Sequence, residues 1–373
     1  KTKKVSVVKP FTAMLQYIPE RMYSSPIGLL RDLEEVLPQY EWRTNRRLVI
    51  AGAVFAFSNV CYLASFLGVT RYMPTFPGRI LEETNEQLDG LKDNWVPVQN
   101  EDNPIFWHIP KSGGSYMEAY LGSCYDKVLA SEVGSQFEES NEKALQIVQN
   151  KGGNFYVNID TASPKGIERA KTMGFAEHNL ADVTISPLLY EIASLYSQDA
   201  PGRVFALFRE PIDRAVSMYE YLQHTRKTMT LREYAKSDLI EDNYITRSLI
   251  NKKEGTLTEE DVRAASKVLN QKILVGLMSR MDESLDRFER FFTWHFHDEK
   301  KKEKCRDSVL GMGQNTHTKW VKRPEEGSLN YALIADKNRY DMRLYAYVET
   351  LFEEQENFVK SKTKQFRVSA MEA

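Results

Sequence analysis

From Pro104 onward, short apolar runs alternate with stretches of helical period. Ile105–Ile109, Asn154–Ile159, Arg203–Phe208 and Lys272–Leu277 are brief and mostly apolar, the pattern of strands buried on both faces. Between or beside them, Pro187–Tyr196, Ile212–Gln223 and Glu259–Asn270 predict helices. That alternation predicts an α/β domain of three layers around a central, mainly parallel sheet. Near the C-terminus, Tyr331–Val359 predicts one long amphipathic helix, with Leu344, Val348, Leu351 and Phe352 on a single stripe. Residues 298–304 are dense in charge and read as a surface loop.

The N-terminal part has a different pattern. Residues 48–69 carry no charge, and about 20 such residues cross a bilayer as a helix. Arg43, Arg46 and Arg47 crowd its N-terminal side, so the positive-inside rule places residues 1–47 in the cytosol and the rest across the membrane. A buried core helix is the other reading of this run. Residues 70–103, punctuated by Pro74, Pro77 and Pro97, read as a stem, and residues 104–373 as the catalytic domain.

Composition narrows the partners. The formal net charge of −2 gives no global basic field, and no nucleic-acid partner is expected. A local basic patch remains compatible with an acidic polymer. Cys61, Cys124 and Cys305 show neither zinc-ligand nor Cys-x-x-Cys spacing, and no metal is expected. Cys61 lies in the apolar run, so only Cys124 and Cys305 are available to pair. Such a disulfide would fit an oxidising lumen, and two unpaired thiols are the alternative.

Two segments carry candidate chemistry. In Ile105–Leu121 a strand gives way to Pro110-Lys111-Ser112-Gly113-Gly114-Ser115 and then to a helix opening near Ser115 and Tyr116. Two glycines let backbone curl around an anion, a helix start points free N–H groups at it, and Lys111 adds positive charge. The lysine precedes the glycines, so this is not the Walker order of a P-loop kinase. Alone, the string is also compatible with an ordinary turn. The second segment, Arg203–Leu222, repeats the design: a buried strand ends at Phe208, Arg209 stands at its tip, and Pro211 opens a helix carrying Arg214 and Ser217. Alone, it is also compatible with a helix bearing a solvated arginine face.

Together and in this order, the two segments resemble the signature of the sulfotransferase superfamily, in particular its membrane-bound carbohydrate branch. Asp242–Leu249, Ile273–Phe292 and Asp341–Phe352 extend the resemblance, which covers roughly residues 104–355. The resemblance implies a donor, 3′-phosphoadenosine 5′-phosphosulfate (PAPS). Lys111 and the backbone of Ser112, Gly113, Gly114, Ser115 and Tyr116 would hold its 5′-phosphosulfate, and Arg209 and Ser217 its 3′-phosphate. Arg214 would be a supporting residue. Gly311–Trp320 resembles the family's late nucleotide-closing loop, with Asn315 and Lys319 as its candidate ligands. It further implies a glycan or proteoglycan acceptor and a Golgi-membrane, single-pass type II placement with a lumenal catalytic domain. Protein tyrosine, a lipid, or a non-catalytic nucleotide-binding role are the alternatives.

Sulfuryl transfer to a hydroxyl needs in-line geometry, a cation at the departing oxygen and a base for the acceptor proton. Lys111 suits the second need. Histidine suits the third, because its ordinary pKa of ~6.5 lies near working pH. The resemblance places a catalytic histidine between the two motifs, which selects His178, with the adjacent Glu177 as substitute. His108, just ahead of the first loop, reads as a satisfied core histidine. His295 and His297 have strand spacing for a metal pair but lack a carboxylate or cysteine framework.

Overall fold

The computed structural model describes residues 86–99, 101–140, 144–225, 229–296, 298–311 and 321–372. They belong to one compact unit, 82–373. In chain order it begins β1 (Asn103–Trp107), α1 (Gly114–Tyr125), β2 (Leu129–Ala130), β3 (Ile147–Gln149) and β4 (Phe155–Val157). Next come α2 (Pro164–Thr172), α3 (Phe175–His178), β5 (Val183–Ser186), α4 (Leu189–Ala193) and β6 (Gly202–Phe208). Then follow α5 (Pro211–Thr225), α6 (Leu231–Lys236), α7 (Tyr244–Leu249), α8 (Glu259–Lys272) and β7 (Ile273–Leu277). The unit closes with α9 (Met281–Phe291), α10 (Glu299–Gly311), α11 (Leu329–Lys337) and α12 (Arg339–Glu372).

The strands form a seven-stranded sheet in the order β3-β4-β2-β5-β1-β6-β7. Only the β3–β4 pair is antiparallel. Strand alternation sends Phe106, Ile185, Phe205 and Leu274 into a core covered by α1 and α9. Ile105, Trp107, Val204 and Val275 go into a second core, under α2, α3, α4, α8 and α12. The result is the expected three-layer α/β arrangement. A third cluster joins α5, α6 and α11 through Ile212, Tyr219, Tyr234 and Ile334. The connection from β1 leads to one side, to β2, whereas β6 pairs with the other side of β1. The carboxyl ends of these strands therefore border a crevice of the kind that binds ligands in open α/β sheets.

Several expectations change. Val183–Ser186, Ile147–Gln149 and Leu129–Ala130 are strands that the apolar pattern did not single out. The long C-terminal helix is two helices, broken at Asn338, whose side-chain amide donates to the Ile334 carbonyl at 3.0 Å. Residues 299–304 start a helix rather than a loop, because Lys302 and Arg306 turn inward to Glu289 and Asp286 of α9. Part of the expected stem also belongs to the domain. Leu88 and Leu91 are buried, and the wholly buried Arg203 pairs with Asp102 at 2.9 Å and donates to the Val96 and Pro97 carbonyls.

The Golgi-membrane, single-pass placement is withdrawn. Among the described residues no helix is long and apolar enough to cross a membrane. The run 48–69 that suggested it lies outside the described residues, as do 1–47 and 70–85.

Candidate functional site

β1 ends at Trp107, and the chain turns sharply through Lys111 and Gly113, which adopt left-handed φ values of 65° and 88°. The second costs glycine nothing; the first strains a lysine and holds its backbone in the loop. α1 starts at Gly114, with Gly113 at its N-cap and no side chain capping it, so its first N–H groups point into the loop. Ser112 is almost fully buried, and its Oγ finds no hydrogen-bond partner. A buried hydroxyl without a protein partner beside free helix N–H groups is suited to binding an anion.

The Lys111 ammonium sits 4.7 Å from the centre of the Tyr221 ring. Burial, and then the nearby Arg209 charge, lowers its pKa. Among the described residues no carboxylate pairs with it within 4.0 Å, so it is held by a ring rather than by a salt bridge. His108 packs edge-on against the loop: a Cβ added at Gly114 would lie 2.0 Å from its Cδ2 and Nε2. Gly114 is thus glycine because the imidazole occupies the space of a side chain. Burial, and then the Lys111 charge, lowers the His108 pKa, so the neutral imidazole is favoured.

The second segment stands beside the first because β6 pairs with β1. Arg209, at the tip of β6, donates through Nη1 to the Lys111 carbonyl at 3.1 Å. The two loops are therefore physically joined. Burial lowers the Arg209 pKa. Arg214 is buried; it pairs with Glu241 at 2.5 Å and stacks 5.0 Å from the Tyr244 ring centre, a scaffolding role. Ser217, one turn further along α5, is buried. At the start of α5, Glu210 accepts from the Asp213 N–H at 2.9 Å and from Arg323 at 2.8 Å.

Beyond β1 on its other side, a cavity of about 190 Å³ opens between α1 and the ends of β2 and β5. His108, Glu118, Ser131 and Glu132 give it polar walls, and Ala162, Ile185 and Pro187 apolar ones. Ser131 donates to Glu118 at 2.7 Å, and burial raises the Glu118 pKa. Sequence reasoning passed over Glu118 and set His108 aside. The available signal was the spacing of Gly114 and Glu118, which puts both on one face of a helix that starts at the loop.

The predicted residues do not all meet. Lys111 to Tyr116 and Arg209 gather at the carboxyl edge of the central strands, in the joined loops, and Ser217 follows in α5, the helix that the second loop opens. His178 and Glu177 do not. After β4 the chain reverses along α2, and α3 ends at His178 shortly before β5 begins at Val183, hence near the amino edge. The apolar side of α3, Phe175 and Ala176, packs into the core opposite the one that covers α1. His178 is exposed, with Nδ1 2.6 Å from the Gly174 carbonyl of its own turn. Asn315, Lys319, His297 and His317 lie outside the described residues.

Cys124 of α1 and Cys305 of α10 form a disulfide that spans 181 residues of sequence, so the loop-bearing helix is covalently tied to α10. Tyr120 of α1 also donates to Glu289 at 2.8 Å. Tyr116 stacks on Tyr120 with ring centres 5.9 Å apart, and burial pushes its phenol up to about 12. Among the described residues no cluster of three or more His, Cys, Asp or Glu could hold a metal ion.

No protein-family model matches the chain. No curated protein matches it. Among solved structures, mouse sulfotransferase SULT7A1 complexed with PAP is similar at 16% sequence identity and a TM-score of 0.32, over 77% of this chain and 94% of that chain.

Proposed function

We propose that the chain transfers a sulfuryl group from PAPS to an acceptor hydroxyl. The observation that carries this reading is the pair of strand-end loops joined by Arg209 and the Lys111 carbonyl, 3.1 Å apart. One loop offers helix N–H groups, a buried free hydroxyl at Ser112 and a lysine; the other offers an arginine and a buried serine. Two anion cradles side by side suit a nucleotide with phosphates at both its 3′ and 5′ positions, and the lysine-before-glycine order argues against nucleoside-triphosphate chemistry.

In this reading Lys111, with the backbone of Ser112 to Tyr116, receives the 5′-phosphosulfate, and Arg209 and Ser217 receive the 3′-phosphate. The acceptor oxygen attacks sulfur as the sulfur–oxygen bond to phosphate breaks. Lys111 stabilises the charge that collects on the departing phosphate oxygen. The acceptor is a sugar hydroxyl, a choice supported by the sequence resemblance to the carbohydrate branch.

The test is transfer of labelled sulfate from PAPS to a panel of oligosaccharides, tyrosine peptides and hydroxylated lipids, with calorimetric titration of the product nucleotide, 3′-phosphoadenosine 5′-phosphate (PAP). The expected result is tight PAP binding and labelled sugar. Binding of PAP with no labelled product would favour a nucleotide-binding protein without catalysis. Absence of PAP binding would overturn the proposal.

A further inference from the structure

We infer that the cavity beside β1 receives the acceptor hydroxyl, that His108 is the base that takes its proton, and that the acceptor carries no anionic group near that hydroxyl. This rests on the sulfuryl-transfer reading above.

Three functions map in sequence along the carboxyl edge of the sheet. The β6 end carries Arg209 and the β1 end carries the lysine loop. On the far side of β1 from β6, the cavity lies at the ends of β2 and β5. A donor lying over β6 and β1 would direct its terminal sulfuryl group away from the arginine, toward this cavity. His108 is the titratable residue that touches both places: its ring rests on Gly114 of the loop and forms part of the cavity wall, beside Pro110 of the same loop. A hydroxyl in the cavity would therefore lie between the imidazole and the sulfur. Glu118 also lines the cavity, but its carboxylate is engaged by Ser131 on the β2 side. His178, the base suggested by the resemblance, belongs to α3 in the opposite helix layer.

The step balances. The acceptor oxygen forms a bond to sulfur, and its proton passes to a ring nitrogen of His108. The bond between sulfur and the bridging oxygen breaks, its electron pair leaves with PAP, and the proton is later lost to water. Burial and the Lys111 charge both favour the neutral imidazole that this step requires.

Charge on the walls limits the acceptor. Two carboxylates, Glu118 and Glu132, line the small cavity, and a sulfated or carboxylated neighbour of the reacting hydroxyl would be repelled there. A larger groove of about 660 Å³ shares Pro187 with the cavity and offers an exit for the rest of the acceptor. Its cations are already engaged: Arg247 pairs with Asp242 at 2.5 Å, and Lys253 with Glu191 at 3.3 Å. Among the described residues neither wall adds a lysine or arginine outside these pairs, whereas a polyanionic chain would need several.

The experiment compares the full chain with its His108→Gln and Ala162→Leu variants. Acceptors are a neutral lactosamine oligomer, a chitosan oligomer and a heparin fragment, with PAP titration in parallel. Wild type is expected to sulfate the uncharged or cationic oligomers at least tenfold better than heparin. His108→Gln is expected to lose about 10²-fold or more in kcat, together with the acidic limb of the pH–rate profile, while PAP affinity stays within twofold. Ala162→Leu, which narrows the cavity without touching the imidazole, is expected to raise acceptor KM with donor affinity unchanged, and it decides the matter if His108→Gln does not fold. Full turnover in His108→Gln, an unchanged KM in Ala162→Leu, preference for heparin, or transfer to none of the three while PAP binds would each overturn the inference. Loss of PAP binding in the wild type would instead overturn the underlying functional reading.

Discussion

The loops after β1 and β6 have the same local plan, a buried strand feeding a helix N-terminus, yet they hold their charges differently. In the β6 segment the arginines are committed. Arg214 is locked to Glu241, and Arg209 donates to the neighbouring loop's carbonyl. In the β1 segment the lysine has a strained backbone, its ammonium rests over an aromatic ring, and the serine beside it is unsatisfied. A fixed cation suits a phosphate that only has to be held. A cation free to follow a moving charge suits the phosphate that becomes a leaving group. Under the proposed reaction, that difference suits the β6 loop to anchoring and the β1 loop to chemistry.

That division predicts unlike consequences for mutating the two loops. The largest effect is on stability. Arg214→Ala leaves Glu241 facing the hole of a buried partner, and because Glu241 is itself 29% exposed the cost is about 3 kcal/mol, the low end for breaking a buried pair. Denaturant unfolding should show that loss, whereas a midpoint within experimental scatter of wild type would remove Arg214 from the scaffold. Next is Lys111→Ala. It should lower kcat about 10²–10³-fold, the range for removing one preorganised charge-stabilising donor, and change PAP affinity much less. If affinity falls and kcat does not, the lysine anchors and the two loops are alike. Smaller, and opposite in kind, is Arg209→Ala: a donor affinity loss of about 10–100-fold, from about 1.5–3 kcal/mol for a hydrogen bond to a charged group, with kcat nearly intact.

Much of this was legible before the fold. Both loops are defined by local rules: glycines, a helix-opening proline, and strands apolar on both faces. β1, β6, β7 and the helix after β6 follow from the same periodicity. What was not legible depends on contacts between distant residues. β5 has only four residues, and a run that short has no periodicity of its own. Lys302 read as surface charge because its carboxylate partner on α9, Glu289, is not a sequence neighbour within one helix. His178 has the interval in sequence that the resemblance implies, yet it lies near the amino edge and in the helix layer opposite α1, since α2 carries the chain back before β5 begins. His108 read as core because the strand before it is core; only the bare α-carbon of Gly114 beneath the ring places it at the loop.

The central claim is that both loops grip one nucleotide through phosphates at opposite ends of its ribose. Calorimetric titration of PAP, adenosine 5′-phosphate and adenosine 3′-phosphate against wild type and Arg209→Ala tests it most directly. Wild type should bind PAP at least tenfold more tightly than either monophosphate, and Arg209→Ala should reduce PAP to the affinity of the 5′-monophosphate. Equal binding of PAP and adenosine 5′-phosphate by wild type would contradict the account.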